Sequence, residues 1–163
     1  CNVHAAGTAK MMAAALEGLA QGTPPGRSRP LLIAVTQLTS TDLWRMNQEI
    51  RIPGPVEETV SAYALLAKEA GLDGVVCGPE EAPAIHRLCG DGFLTGTPGI
   101  RSESGDRQGD NKTAGGNQDQ VRVRTPQEAK ALGADFIVVG RPITSAADPL
   151  AAYLQIKRDF LAQ

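Results

Sequence analysis

An α/β fold built on a parallel sheet is predicted by three observations. Short apolar runs alternate with amphipathic helical patterns through most of the chain. The helical segments carry start and stop signals at their ends. Polar residues cluster just after the apolar runs, where open α/β sheets and (β/α)₈ barrels both place their ligands.

Taken in order, strands are expected at Asn2 to Ala5, Leu31 to Thr36, Gly74 to Cys77, Phe93 to Thr97 and Asp135 to Val139. Each is short, apolar and followed by a helical pattern, which implies right-handed crossovers and parallel pairing. The expected helices are Thr8 to Leu19, Pro55 to Ala70, Pro79 to Leu88, Pro126 to Leu132 and Pro149 to Ala162. The second of these places Val56, Val60, Tyr63 and Ala67 on one face and stops at Gly71, a natural C-terminal position. "TPQE" supplies Thr125 as N-cap, Pro126 at the first helical position and Glu128 to complete a capping box. Asp148 followed by Pro149 starts the last helix in the same way. An open doubly wound sheet and a closed barrel both fit this alternation. No internal repeat is evident. The chain opens at Cys1 within what reads as the end of a strand, so an upstream portion is expected to be missing.

Composition narrows the function classes. The 163 residues are 42% hydrophobic and 21% charged, enough for one domain with a real core. Sixteen basic against eighteen acidic residues leave a net charge of -2, so neither a nucleic-acid arm nor a membrane-surface patch is expected. Cys1, Cys77 and Cys89 are a sparse, odd set, which points to a reducing cytoplasm rather than a disulfide framework. No apolar run approaches a membrane span and no basic stretch followed by an apolar one opens the sequence, so neither a span nor a signal peptide is expected. Cys1 and His4 have C-x-x-H spacing, but a zinc site needs four ligands and His86 and Cys89 fall on another helix, so no metal is expected. Cys77 reads as a small core filler, Met11 and Met12 as core on a helix, and Trp44 as a loop residue without an assigned role.

Two stretches break the rhythm. "QGTPPGRSRP", Gln21 to Pro30, is a Pro/Gly connector. "SESGDRQGDNKTAGGNQD", Ser102 to Asp119, has Ala114 as its only apolar residue apart from glycine, the composition of a lid or a disordered insert.

The chemistry gathers at the strand ends. In "ADFIVVGRPIT" the apolar run stops at Gly140 and is followed at once by Arg141. A glycine there lets the backbone N–H approach an oxyanion, and a guanidinium beside it can hold phosphate oxygens bidentately. A solvated surface turn would read the same in isolation. Together with "LIAVTQLTS", "TPGIR" followed by "DQVRV", "VHAAG" and "LDGVVC", however, this motif resembles the orotidine 5′-monophosphate decarboxylase family, in its bacterial Bacillus-like branch. The resemblance covers nearly the whole chain apart from the Ser102 to Asp119 insert.

That resemblance implies a partial (β/α)₈ barrel comprising strands four to eight. It also implies substrate contacts residue by residue. Thr39 matches the hydroxyl that reads the pyrimidine ring, and Arg101 and Gln120 match residues of the loop that closes over phosphate and base. Gly140 and Arg141 match the pair that grips the 5′-phosphate. Orotidine or uridine monophosphate is the implied ligand, a homodimer the implied full-length form, and no cofactor or metal is implied. The family's proton donor is a lysine within Asp-x-Lys-x-x-Asp, and none of Lys10, Lys68, Lys112, Lys130 and Lys157 has aspartates at those offsets. No catalytic residue is therefore expected in this chain, which should be inactive alone. Two departures stand out. Gly96 occupies a strand position where an apolar residue is expected, and the insert separates Arg101 from Gln120. The competing assignments are another phosphosugar-binding barrel, of the hexulose-phosphate synthase or ketogulonate-phosphate decarboxylase type, and a non-enzymatic half-barrel.

Overall fold

A computed structural model of the chain describes residues 1–101 and 123–162. The insert at 102–119 and Gln120 lie outside the described residues. The strands are β1 (Asn2–His4), β2 (Ile33–Val35), β3 (Gly74–Val76), β4 (Leu94–Thr97) and β5 (Phe136–Ile137). They are joined by α1 (Thr8–Gly22), α2 (Leu43–Gln48), α3 (Val56–Glu69), α4 (Ala82–Cys89), α5 (Pro126–Ala131), α6 (Arg141–Thr144) and α7 (Pro149–Leu161). Every strand pairs in parallel with the next in sequence, giving the order β1-β2-β3-β4-β5. A doubly wound sheet would reverse direction at a switch point. This order does not, and it is that of a barrel segment, with β1 and β5 at its two edges.

The elements differ from expectation at their ends. Strand pairing stops short of the expected limits, and β5, at one edge of the sheet, is only two residues long. Helix α1 runs on to Gly22, into the Pro/Gly connector. Neither α2 nor α6 is foreseen by the periodicity, and Trp44, expected in a loop, sits on α2, 63% exposed. The Asp42 carboxylate explains α2: it accepts the Arg45 N–H at 2.7 Å as an N-cap and pairs with the Arg45 guanidinium at 2.5 Å.

The larger apolar cluster lies between β1–β3 and α1, α3 and α4, with Met12, Val60, Val75, Cys77 and Ile85 almost wholly buried. A second cluster of Ile100, Ala129, Ala134 and Phe160 packs under β5, with Ile137 and Val139 against it. Strand alternation turns Phe136 and Val138 to the opposite, inner face, where both are 55% exposed. A parallel sheet is ordinarily covered on both faces. Here the inner face is uncovered at the β5 edge. Gly96 also faces inward: a Cβ there would touch Ile33 Cδ1 at 3.8 Å.

One local device occurs twice. After α3, Gly71 turns left-handed (φ +85°), Leu72 N–H bonds back to Ala67 O at 3.0 Å, and Asp73 follows. After α5, Gly133 (φ +86°), Ala134 N–H to Ala129 O at 3.0 Å and Asp135 repeat the pattern. Each aspartate then reaches back to the strand before it. Asp73 accepts the Leu32 N–H at 2.7 Å, and Asp135 accepts the Thr95 N–H at 2.8 Å. Gly-x-Asp thus ends a helix, starts a strand and ties it to its predecessor, a structural repeat of the βα unit.

Asp73 also binds the Arg29 guanidinium through both oxygens, at 2.6 and 2.9 Å. The Arg29 hydrogen bonds, aided by the Leu32 N–H, hold its carboxyl below the usual carboxylate value. A folded-state value below the unfolded one contributes stability above the unfolded pKa and loses it as pH falls through the folded value. Asp73→Asn is therefore expected to flatten the loss of melting temperature between about pH 4 and pH 2. Equal acid slopes for the two proteins in a pH series of thermal melts would contradict this.

Candidate functional site

All five carboxyl ends of the strands lie on one side of the sheet, and the polar residues predicted there follow β2, β4 and β5. At the end of β2, Thr36 stitches the sheet: its N–H and its hydroxyl both donate to Val76 O, at 3.1 and 2.8 Å. The chain then turns, Thr41 N–H to Leu38 O at 2.8 Å, with Thr39 on the turn. Thr39 is 6% exposed. Gln37 and Thr41 are buried beside it in the chain, a polarity the run "TQLTST" signals but which sequence reasoning left unassigned. Threonine and glutamine side chains can both donate and accept hydrogen bonds, so this edge suits a polar ligand.

At the end of β4, Thr97 is fully buried and donates its hydroxyl to Phe136 O at 3.2 Å, while Val138 N–H donates to Thr97 O at 2.9 Å. Arg101 follows, held by its N–H to Arg124 O at 3.0 Å. After β5, Gly140 is the N-cap of α6 and Arg141 its first residue. The Gly140 carbonyl accepts the Ile143 and Thr144 N–H groups at 2.9 and 3.1 Å, so its acceptor side is committed to the helix. Its φ of −107° lies outside the left-handed region, and a Cβ at this position would meet nothing within 4 Å. No described residue crowds this position, and the open space beside the backbone suits an oxyanion.

Thr39, Arg101, Gly140 and Arg141 therefore share the carboxyl edge, on β2, β4 and β5. Three strand spacings separate β2 from β5, about 14 Å along a flat sheet, and barrel curvature shortens the path across the mouth. The position of Gln120, outside the described residues, is not part of this geometry. By residue type the edge carries two arginines, a glycine and a threonine, groups whose chemistry suits an anion and a neutral polar edge. Among the described residues the lysines lie elsewhere: Lys10 on α1, Lys68 on α3, Lys130 on α5 and Lys157 on α7, all on the helical layer. Lys130 stacks over the Phe160 ring at 5.4 Å. No group of three metal-ligating side chains occurs among the described residues, and no described helix is long and apolar enough to cross a membrane. An open groove of about 800 Å³ between α2 and the start of α3, lined by Leu43, Trp44, Asn47 and Val56, lies outside this set.

The profile of the orotidine 5′-phosphate decarboxylase / HUMPS family matches residues 1–156. The orotidine 5′-phosphate decarboxylase of Geobacillus thermodenitrificans is 55% identical over 159 residues, covering 98% of this chain and 62% of that protein. The enzyme of the same name from Shouchella clausii is 56% identical over 159 residues, with the same 98% and 62% coverage. The crystal structure of orotidine 5′-phosphate decarboxylase from Lactobacillus acidophilus superposes with a TM-score of 0.79 at 42% identity, over 99% of this chain and 62% of that one. The chain thus spans about 62% of the length of the curated relatives it matches.

Proposed function

From the premise that the chain belongs to the orotidine 5′-phosphate decarboxylase / HUMPS family, we propose that it is the phosphate- and base-gripping part of an orotidine 5′-monophosphate decarboxylase, one that makes uridine monophosphate in pyrimidine synthesis. The observation that carries this is the shared carboxyl edge: Thr39, Arg101, Gly140 and Arg141 all follow strands of one parallel sheet. The named relatives favour the decarboxylase over the other phosphosugar barrels of the family, because curated proteins 52% to 56% identical to the chain carry the decarboxylase name. Five strands of eight is also the same proportion as the 62% of length matched.

In this assignment Gly140 N–H and the Arg141 guanidinium bind the 5′-phosphate, Gln120 bridges phosphate and base, and Thr39 reads an imide edge. Arg101 stands at the base of the loop between them. Phosphate binding remote from the reacting carbon contributes energy that is felt at the transition state. The proton-donating lysine would come from a segment preceding these strands, with one aspartate supplied across a homodimer interface. The chain supplies the anion grip and no proton donor. Uridine monophosphate should bind the chain weakly, since groups on separate strands must be ordered without the rest of the barrel. Arg141→Ala should weaken that binding roughly tenfold or more, because a charge-assisted bond to phosphate is lost. Calorimetric titration decides it, and equal affinity in the two proteins would refute the assignment.

A further inference from the structure

The turn after β3 carries two consecutive carboxylates that face opposite ways. Glu81 points inward, 6% exposed, and accepts the Gly78 N–H at 2.6 Å. That bond sets the backbone of the turn. Glu80 consequently points outward, where it pairs with the Arg124 guanidinium, both side chains remaining partly exposed. Arg124 belongs to the neighbouring connection. Its N–H donates to Gly99 O and its carbonyl accepts the Arg101 N–H, each at 3.0 Å, in a parallel bridge with Ile100. The next residue, Thr125, caps α5 through a reciprocal box with Glu128. One residue therefore joins the turn after β3, the strand end that carries Arg101, and the start of α5.

We propose that Glu80, acting through Arg124, is a positioning residue for Arg101, an inference that rests on the assignment of Arg101 to the substrate site. The chemistry supports two effects. The ion pair holds the Arg124 main chain, and with it the Arg101 amide, at a fixed place on the carboxyl edge. It also cancels the Glu80 charge, which would otherwise repel a phosphate dianion bound at the same edge. A partly exposed ion pair contributes little to global stability. Its effect should consequently appear in ligand affinity and in one local amide, and not in melting temperature.

The test uses the full 163-residue chain and three variants: Glu80→Gln, Arg124→Gln and the exchanged pair Glu80→Arg with Arg124→Glu. Uridine monophosphate affinity is measured by titration, and Arg101 amide exchange by NMR. Each single variant is expected to weaken the nucleotide about threefold and to speed exchange of the Arg101 amide. The exchanged pair should recover both, with melting temperatures within about 2 °C of the parent throughout. Single variants that match the parent in both readouts overturn the inference, as does an exchanged pair that recovers neither. A parent chain with no affinity for the nucleotide would count against the functional assignment instead. The Arg101 amide would then decide the positioning role alone: faster exchange in Glu80→Gln, reversed by the exchanged pair, upholds it, and unchanged exchange refutes it.

Discussion

Mixing the chain with a separately expressed N-terminal segment of a related decarboxylase, one bearing the Asp-x-Lys-x-x-Asp motif, is expected to restore decarboxylation of orotidine 5′-monophosphate. The chain alone should remain at the uncatalysed rate. The physical reason lies in where the cations sit. Arg101 and Arg141 are at the carboxyl edge, whereas the described lysines are on outer helices, where none can place an ammonium beside a ring carbon losing CO₂. Stabilising a developing carbanion requires a preorganised charge at the reacting atom. The uncovered inner face, with Phe136 and Val138 each 55% exposed, and the edges β1 and β5 are the surfaces on which the added strands would close. Restored turnover should fall roughly 30-fold or more in Arg141→Ala, since a charge pair formed with the phosphate is lost. Steady-state assays check both halves. Turnover by the unmixed chain, or restored turnover indifferent to Arg141, would sink the proposal.

The largest effect on stability is expected from Gly74→Ala. Gly74 opens β3 and lies opposite Ile33 and Leu94. A Cβ built there would stand 2.2 Å from Leu94 O and 2.7 Å from Leu94 Cβ, and the oxygen belongs to backbone that cannot rotate aside. The two strands would have to part at the point where Leu94 N–H bonds to Asp73 O at 3.0 Å. Overpacking of this kind should cost about 3 kcal/mol or more, lowering the melting temperature by roughly 6–12 °C. Gly96→Ala is the control, because its Cβ would meet its nearest neighbours at 3.8 Å, an ordinary contact. Thermal melts followed by circular dichroism should separate the pair clearly. A Gly74→Ala protein that melts with the parent would show that β3 and β4 are not held this close.

Much of this architecture is legible in the chain because the signals are local. The Thr125 and Asp148 caps form as expected, with Glu128 and Ala151 N–H groups donating to them at 3.2 and 2.9 Å. The apolar face of α3 is buried where Val56, Val60 and Ala67 predict, because burial of one helical face leaves a 3.6-residue period in the sequence. The helices α2 and α6, six and four residues long, span too few turns to leave such a period. Gly-x-Asp at 71–73 and 133–135 is visible only in hindsight, since two three-residue matches are common by chance and the function of each aspartate lies 40 or 41 residues away along the chain.

The candidate site divides in the same way. The residue types at Thr39, Arg101, Gly140 and Arg141, and their positions just after apolar runs, are properties of the sequence by itself; so is the alternation that makes the sheet parallel. Periodicity, however, reports only which face of an element is buried and says nothing of which strand lies beside which. The sequential order β1 to β5 is that of the barrel segment the family resemblance implies, whereas the uncovered inner face at Phe136 and the Glu80–Arg124 link to Arg101 were decided by the tertiary structure. Each depends on side chains or strand edges far apart in sequence meeting in space, and the free energy of such contacts belongs to the pair and not to either segment.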